Sequence, residues 1–213
     1  MPHPLRPMDA HLTLHVASHA TGSRLCFPTD DTRELFKSSI ARLLKIVPIE
    51  LHAFALMDNH FHLLLTTRDV GVTAVFMRRL QASHALTINR IDGYRGQLWL
   101  DRYHTIIVES ERHALHACLY IDANPWRAML VEHPIESRWT SHRELVMGNE
   151  SCFITPHQVL LDLGEKELWR KRYNEIMAEY LRRGARTVCP HRYVNDADPL
   201  AGLRLATWLP QAV

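Results

Sequence analysis

Met57-Asp58-Asn59-His60-Phe61-His62-Leu63-Leu64-Leu65 opens on a turn-forming Asp-Asn pair and runs into an apolar stretch interrupted only by two histidines. The residues before it, 48–57, are mostly apolar too, so 48–57 and 60–66 read as two strands of one hairpin joined at Asp58-Asn59. Side chains alternate faces along a strand. His60 and His62 therefore share one face, roughly 7 Å apart, while Phe61 enters the core behind them. Two imidazoles at that spacing can reach one cation. A pair of this kind equally suits a hydrogen-bonded sheet surface in a chain of 15 histidines, and the pair alone leaves both readings open.

Outward from the hairpin the elements alternate. Residues 11–17 alternate apolar and polar as a strand does, and Asp30, Asp31 and Thr32 can cap a helix running to residue 46. Residues 72–91 form a second amphipathic helix, Asp92-Gly93-Tyr94-Arg95-Gly96 a loop, 103–109 a strand and 110–123 a further helix. The order β-α-β-β-α-β-α predicts an α+β, ferredoxin-like antiparallel sheet of about four strands with helices on one face. Thr155 and Pro156 suit the start of a helix to residue 163, and 165–183 carries an apolar stripe of Leu168, Tyr173, Ile176, Met177 and Tyr180. From Gly184 onward the prolines and weak periodicity predict an irregular tail, which could touch an active-site cleft or DNA. The expected division is thus 1–148 as the catalytic domain, 149–184 as a helical extension and 185–213 as the tail.

Ala117-Cys118-Leu119-Tyr120-Ile121-Asp122-Ala123-Asn124-Pro125-Trp126-Arg127-Ala128 supplies a second chemical signal. Tyr120 and Asn124 are one helical turn apart and fall near one face. Pro125 disfavours the α region for the residue before it, which places Asn124 at the helix C-terminus.

Four blocks in order resemble the HUH-type single-tyrosine transposases, the IS200-like family, and most of all its REP-associated members. They are Met57 with Asn59-His60-Phe61-His62-Leu63-Leu64, then Gly96-Gln97-Leu98-Trp99-Leu100-Asp101-Arg102-Tyr103, then Tyr120-Ile121 with Asn124-Pro125 and Arg127-Ala128, then Trp139-Thr140-Ser141. The resemblance spans residues 5–145. It implies Tyr120 as nucleophile, His60 and His62 as paired metal ligands and Asn124 as the third protein ligand. It also implies a divalent metal, Mg²⁺ or Mn²⁺, single-stranded or hairpin DNA as partner, and a monomer or homodimer. The expected activity is nicking and rejoining of DNA at hairpin-forming repeats through a covalent phosphotyrosine. Asp58 stands where the family often has proline, and Asp122 and Ala123 replace residues often larger. A relaxase-type nickase and a repeat-binding regulator without cleavage remain as alternatives.

The chemistry agrees with that implication. A phenol of pKa near 10 is a weak nucleophile at neutral pH unless desolvated, helped by a base or set beside a cation. Two imidazoles and an amide leave positions for phosphate and water around a hard cation. Cys26, Cys118, Cys152 and Cys189 are isolated, which excludes zinc-ribbon and dithiol motifs. His113 and His116, three apart on the tyrosine helix, suit a solvated or hydrogen-bonded role better than a second ligand pair.

The 213 residues are 46% hydrophobic and 23% charged, enough for one substantial core. No apolar run is long enough to span a membrane and the first residues lack a secretory h-region, so the expected compartment is the cytoplasm. A net charge of +2 says little about partners. Arginine greatly outnumbers lysine, however, and clusters at 68–102 and 170–192, where Arg matches the fork geometry of phosphate. Arg78, Arg79, Arg95, Arg102 and Arg127 are the candidate DNA contacts, with Trp126 as the candidate base-stacking ring. Trp99 and Trp139 read as core.

Overall fold

The hairpin at Asp58-Asn59 forms as expected. Strands β1 (Leu12–His19), β2 (Ile49–Met57), β3 (His60–Thr67) and β4 (His104–Val108) build one antiparallel sheet in the order β2-β3-β1-β4. Helix α1 (Asp30–Leu44) connects β1 to β2, and α2 (Val70–Asp92) connects β3 to β4. This is the ferredoxin-like βαββαβ arrangement, with the histidine strand β3 in the interior of the sheet. The computed structural model describes residues 11–148 and 153–183; the tail expected beyond 184 lies outside the described residues.

Alternation along β3 divides its side chains between two cores. Phe61, Leu63 and Leu65 join Leu14 and Val16 of β1 and meet Phe36 and Ile40 of α1 and Phe76, Met77 and Leu80 of α2. After β4 come α3 (Glu111–Asp122), a short α4 (Asn124–Arg127), α5 (His142–Met147), α6 (Gln158–Leu161) and α7 (Lys166–Arg183). On the opposite sheet face Ala53, Ala55 and Leu64 pack with Leu115, Cys118 and Leu119 of α3, Val159 and Leu160 of α6, and Tyr173, Ile176 and Met177 of α7.

Helices cover both faces: α1 and α2 share one, as expected for the ferredoxin-like unit, and α3 with the extension helices α6 and α7 covers the other. Strand β2 carries one irregularity, a register shift between Leu51 and Ala53. One extra residue in a strand reverses its parity. Ile49, Leu51, Phe54 and Leu56 consequently serve the α1–α2 core, while Ala53 and Ala55 present only methyl groups to α3.

Segment 139–141 seals the outer edge of β2. Leu56 N–H donates to the Trp139 carbonyl at 2.9 Å, and Ser141 N–H donates to Phe54 O at 3.0 Å. An edge so covered cannot pair with another chain. Two caps differ from expectation. Thr29, not Asp30 to Thr32, caps α1: its hydroxyl accepts from Thr32 N–H, and its own backbone N–H donates to the Thr32 hydroxyl, completing a capping box. α6 starts at Gln158 under a His157 cap, whose Nδ1 accepts from Val159 N–H at 3.1 Å, while Thr155 N–H donates to Leu51 O at 2.8 Å. Among the described residues no helix is long and apolar enough to cross a membrane.

Candidate active site

Strand register assembles the floor of the site. On β1, Ala17 pairs with His62 and His19 with His60, so His15, Ala17 and His19 share the face that carries the two histidines. The rings of His60 and His62 are 5.2 Å apart between centroids, and His19 stacks on His60 at 4.6 Å. Helix α3 lies over this face. It starts at Ser110, whose hydroxyl accepts from His113 N–H at 3.1 Å, and it brings the Tyr120 ring to 5.6 Å from His62 and 5.9 Å from His15.

The break before Pro125 positions Asn124. α3 ends at Asp122 and α4 restarts at Asn124, whose Nδ2 donates to the Tyr120 carbonyl at 3.0 Å, leaving Oδ1 as the acceptor end. Arg127, on α4, sets its guanidinium 5.4 Å from the centre of the Tyr120 ring, within cation–π range. These groups line a cleft of about 500 Å³, together with Arg102 and His104.

His60 Nδ1 bonds Asn59 Oδ1 at 2.8 Å, and His62 Nδ1 bonds His15 Nε2 at 2.9 Å. With Nδ1 so engaged on both rings, a ligand bond to a cation would come from Nε2. Among the described residues no three or more His, Cys, Asp and Glu side chains form a metal-binding cluster, so a cation here would need the Asn124 amide beside the histidine pair. That neutral, mixed set fits Mg²⁺ or Mn²⁺ with positions open to phosphate and water. Burial, and next the charges of His113 and His116, push His15 down to about 3, so it is neutral at physiological pH.

Directly behind the site lies a buried carboxylate. Asp122, fully buried, accepts from Ser141 Oγ and, at 2.7 Å, from the Tyr173 hydroxyl of α7. Ser141 Oγ in turn accepts from Phe54 N–H at 3.0 Å, joining β2, α3 and α7 within two residues of Tyr120. Burial, then the Asp122 charge, hold the Tyr173 phenol well above the ordinary range, which keeps it a donor.

Of the residues singled out in the sequence, the structure brings together His60, His62, Tyr120, Asn124, Arg102 and Arg127. Arg78 and Arg79 are exposed on α2, across the sheet from the cleft, and Arg95 is exposed in the loop after α2. Trp126 is 6% exposed and presents no open ring face for stacking. Trp99 is core as expected, its Nε1–H donating to Gln81 O at 3.0 Å. Sequence reading missed His15, His19 and His104 as lining residues. The period of two in Thr13-His15-Ala17-His19 was the available signal, but only the pairing register shows which face it joins.

A family model described as "Transposase IS200 like" matches residues 10–124, from the start of β1 to Asn124. Among solved structures the chain is similar in fold to a REP-associated tyrosine transposase bound to a REP hairpin. The TM-score is 0.56 at 16% identity, covering 74% of this chain and 93% of that one. No curated protein matches the chain.

Proposed function

This chain belongs to the IS200-like transposase family, and on that premise we propose that it nicks and rejoins single-stranded, hairpin-forming repeat DNA with Tyr120 as nucleophile. The observation that supports this most is the convergence of Tyr120, His60, His62 and Asn124, from one hairpin and one helix end, on a single cleft. In the proposed reaction the Tyr120 oxygen attacks the scissile phosphorus and its proton passes to water. The bond to the 3′ oxygen breaks, that oxygen takes a proton from water and leaves as a 3′ hydroxyl, and the 5′ phosphate stays on the tyrosine as a diester. Attack by a 3′ hydroxyl on that diester reverses the step and rejoins a strand, so the phosphodiester bond is conserved throughout.

Arg127 over the Tyr120 ring offers charge to the phosphate, and Arg102 adds a second cation on the cleft wall. His60 and His62 through Nε2, with Asn124 through Oδ1, would hold Mg²⁺ or Mn²⁺, which when bound polarises the phosphate and offsets charge on the departing oxygen. The similar solved structure holds a REP hairpin, which supports hairpin DNA as the substrate class. All four site residues come from one chain, so the proposed reaction needs no residue from a second copy in a monomer or a homodimer, and the proposed DNA substrate is in keeping with a cytoplasmic protein. The test is a denaturing gel of protein incubated with labelled single-stranded hairpins. A slow-migrating adduct that needs Mn²⁺ or Mg²⁺ is expected, and its absence with every hairpin and either metal would leave only a DNA-binding role.

A further inference from the structure

We infer that His15 is a positioning residue that holds the proton of His62 on Nδ1, so that His62 meets the cleft through Nε2. The inference rests on the metal-site reading above. A neutral imidazole carries one N–H and one lone pair, and which nitrogen ligates is set by the hydrogen bond the other makes. His15 Nε2 lies 2.9 Å from His62 Nδ1. If Nε2 of His62 is to ligate, its Nδ1–H must donate, and His15 Nε2 is the acceptor that geometry supplies.

The strands explain why His15 can do this. His62 pairs directly with Ala17, which contributes only a methyl group. His15 is two residues back on the same face of β1, a diagonal that long side chains span. It is 2% exposed, so its ring is held by packing. The same nitrogen cannot serve as a third ligand while it accepts from His62, in agreement with the absence of a three-histidine cluster among the described residues. His60 receives the equivalent support from its own neighbour Asn59, at 2.8 Å. Each ligand thus has its own acceptor, one from the turn and one from the adjoining strand, and loss of such an outer partner typically lowers metal affinity 10–100-fold.

Two measurements on the full chain test this. In the first, the protein is labelled with ¹⁵N-histidine, and a long-range ¹H–¹⁵N spectrum of the metal-free wild type near pH 7.5, with His62 assigned by His62→Ala, should show the Nδ1–H tautomer. An Nε2–H tautomer at His62 overturns the inference. In the second, Mn²⁺ titration followed by electron paramagnetic resonance should show affinity roughly 10–100-fold weaker in His15→Leu. His15→Gln, whose amide oxygen can accept near the place of Nε2, should stay within a few-fold of wild type. Binding lost in His60→Ala but unchanged in His15→Leu would overturn the His15 role and leave the metal site standing. Wild type that binds no Mn²⁺ would overturn both. Should His15→Leu not fold, the His62 tautomer of the wild type decides alone.

Discussion

Replacing Tyr173 by phenylalanine removes one oxygen from the far side of the nucleophile helix. The ring of Tyr173 is fully buried and would keep its packing, while Asp122 would lose the donor that reaches it at 2.7 Å. A hydrogen bond to a carboxylate contributes about 1.5–3 kcal/mol, so the expected destabilisation is about 2 kcal/mol. In a chain of this length each kcal/mol moves Tm by roughly 2–4 °C, which gives a drop of roughly 4–8 °C. Calorimetry of Tyr173→Phe, Asp122→Asn and the double variant would measure the coupling directly, since the two groups touch and their effects should not add. A loss under about 0.5 kcal/mol with additive single effects would refute the reasoning, because surface substitutions alone produce changes of that size.

The buried histidines make stability fall in acid. His84, which bonds Cys26 O at 2.6 Å, is pushed down to about 4 chiefly by burial, and His52 is lowered for the same reason. Between the unfolded value near 6.5 and the folded value the unfolded chain binds the proton and the folded chain does not. Stability is thus complete above about pH 6.5 and declines toward pH 4, by up to about 1.4 kcal/mol per pH unit for each group. Denaturant midpoints that stay flat between pH 7 and 4.5 would contradict this. Arg127→Ala should slow adduct formation by at least about tenfold while Tm changes little, as expected when the main loss is the charge offered to the reacting phosphate. Equal rates at saturating hairpin would rule that out. Arg102→Ala should weaken hairpin binding and lower the salt slope by about 1, whereas Arg78→Ala and Arg79→Ala, across the sheet from the cleft, should change neither.

The sheet and its hairpin were legible because their determinants are local. Asp58-Asn59 fixes the turn, and strict alternation after it assigns His60 and His62 to one face and Phe61 to the other. The parity break in β2 was not legible, since His52 at the shift could equally belong to a regular strand, and its partners Thr155 and Thr66 are brought to it only by tertiary packing. Caps were misplaced by one to two residues where several capable residues stand in a row, as in Thr29-Asp30-Asp31-Thr32. Asp122 reads in the sequence as a minor departure from the family pattern. Its partners Ser141 and Tyr173 are 19 and 51 residues away, and only tertiary packing makes it the carboxylate that ties α7 and β2 to the nucleophile helix. Trp126 follows the same logic in reverse, since its position beside Asn124 suggested an exposed ring, whereas the break at Pro125 turns it inward.

Peptide mapping by mass spectrometry after incubation with a hairpin oligonucleotide and Mn²⁺ tests the proposed chemistry most directly. The expected result is a nucleotide attached through phosphate to the peptide that holds Tyr120, and no attachment anywhere in Tyr120→Phe. A stable adduct on another tyrosine, or cleavage that persists in Tyr120→Phe, would contradict the assignment of Tyr120 as nucleophile.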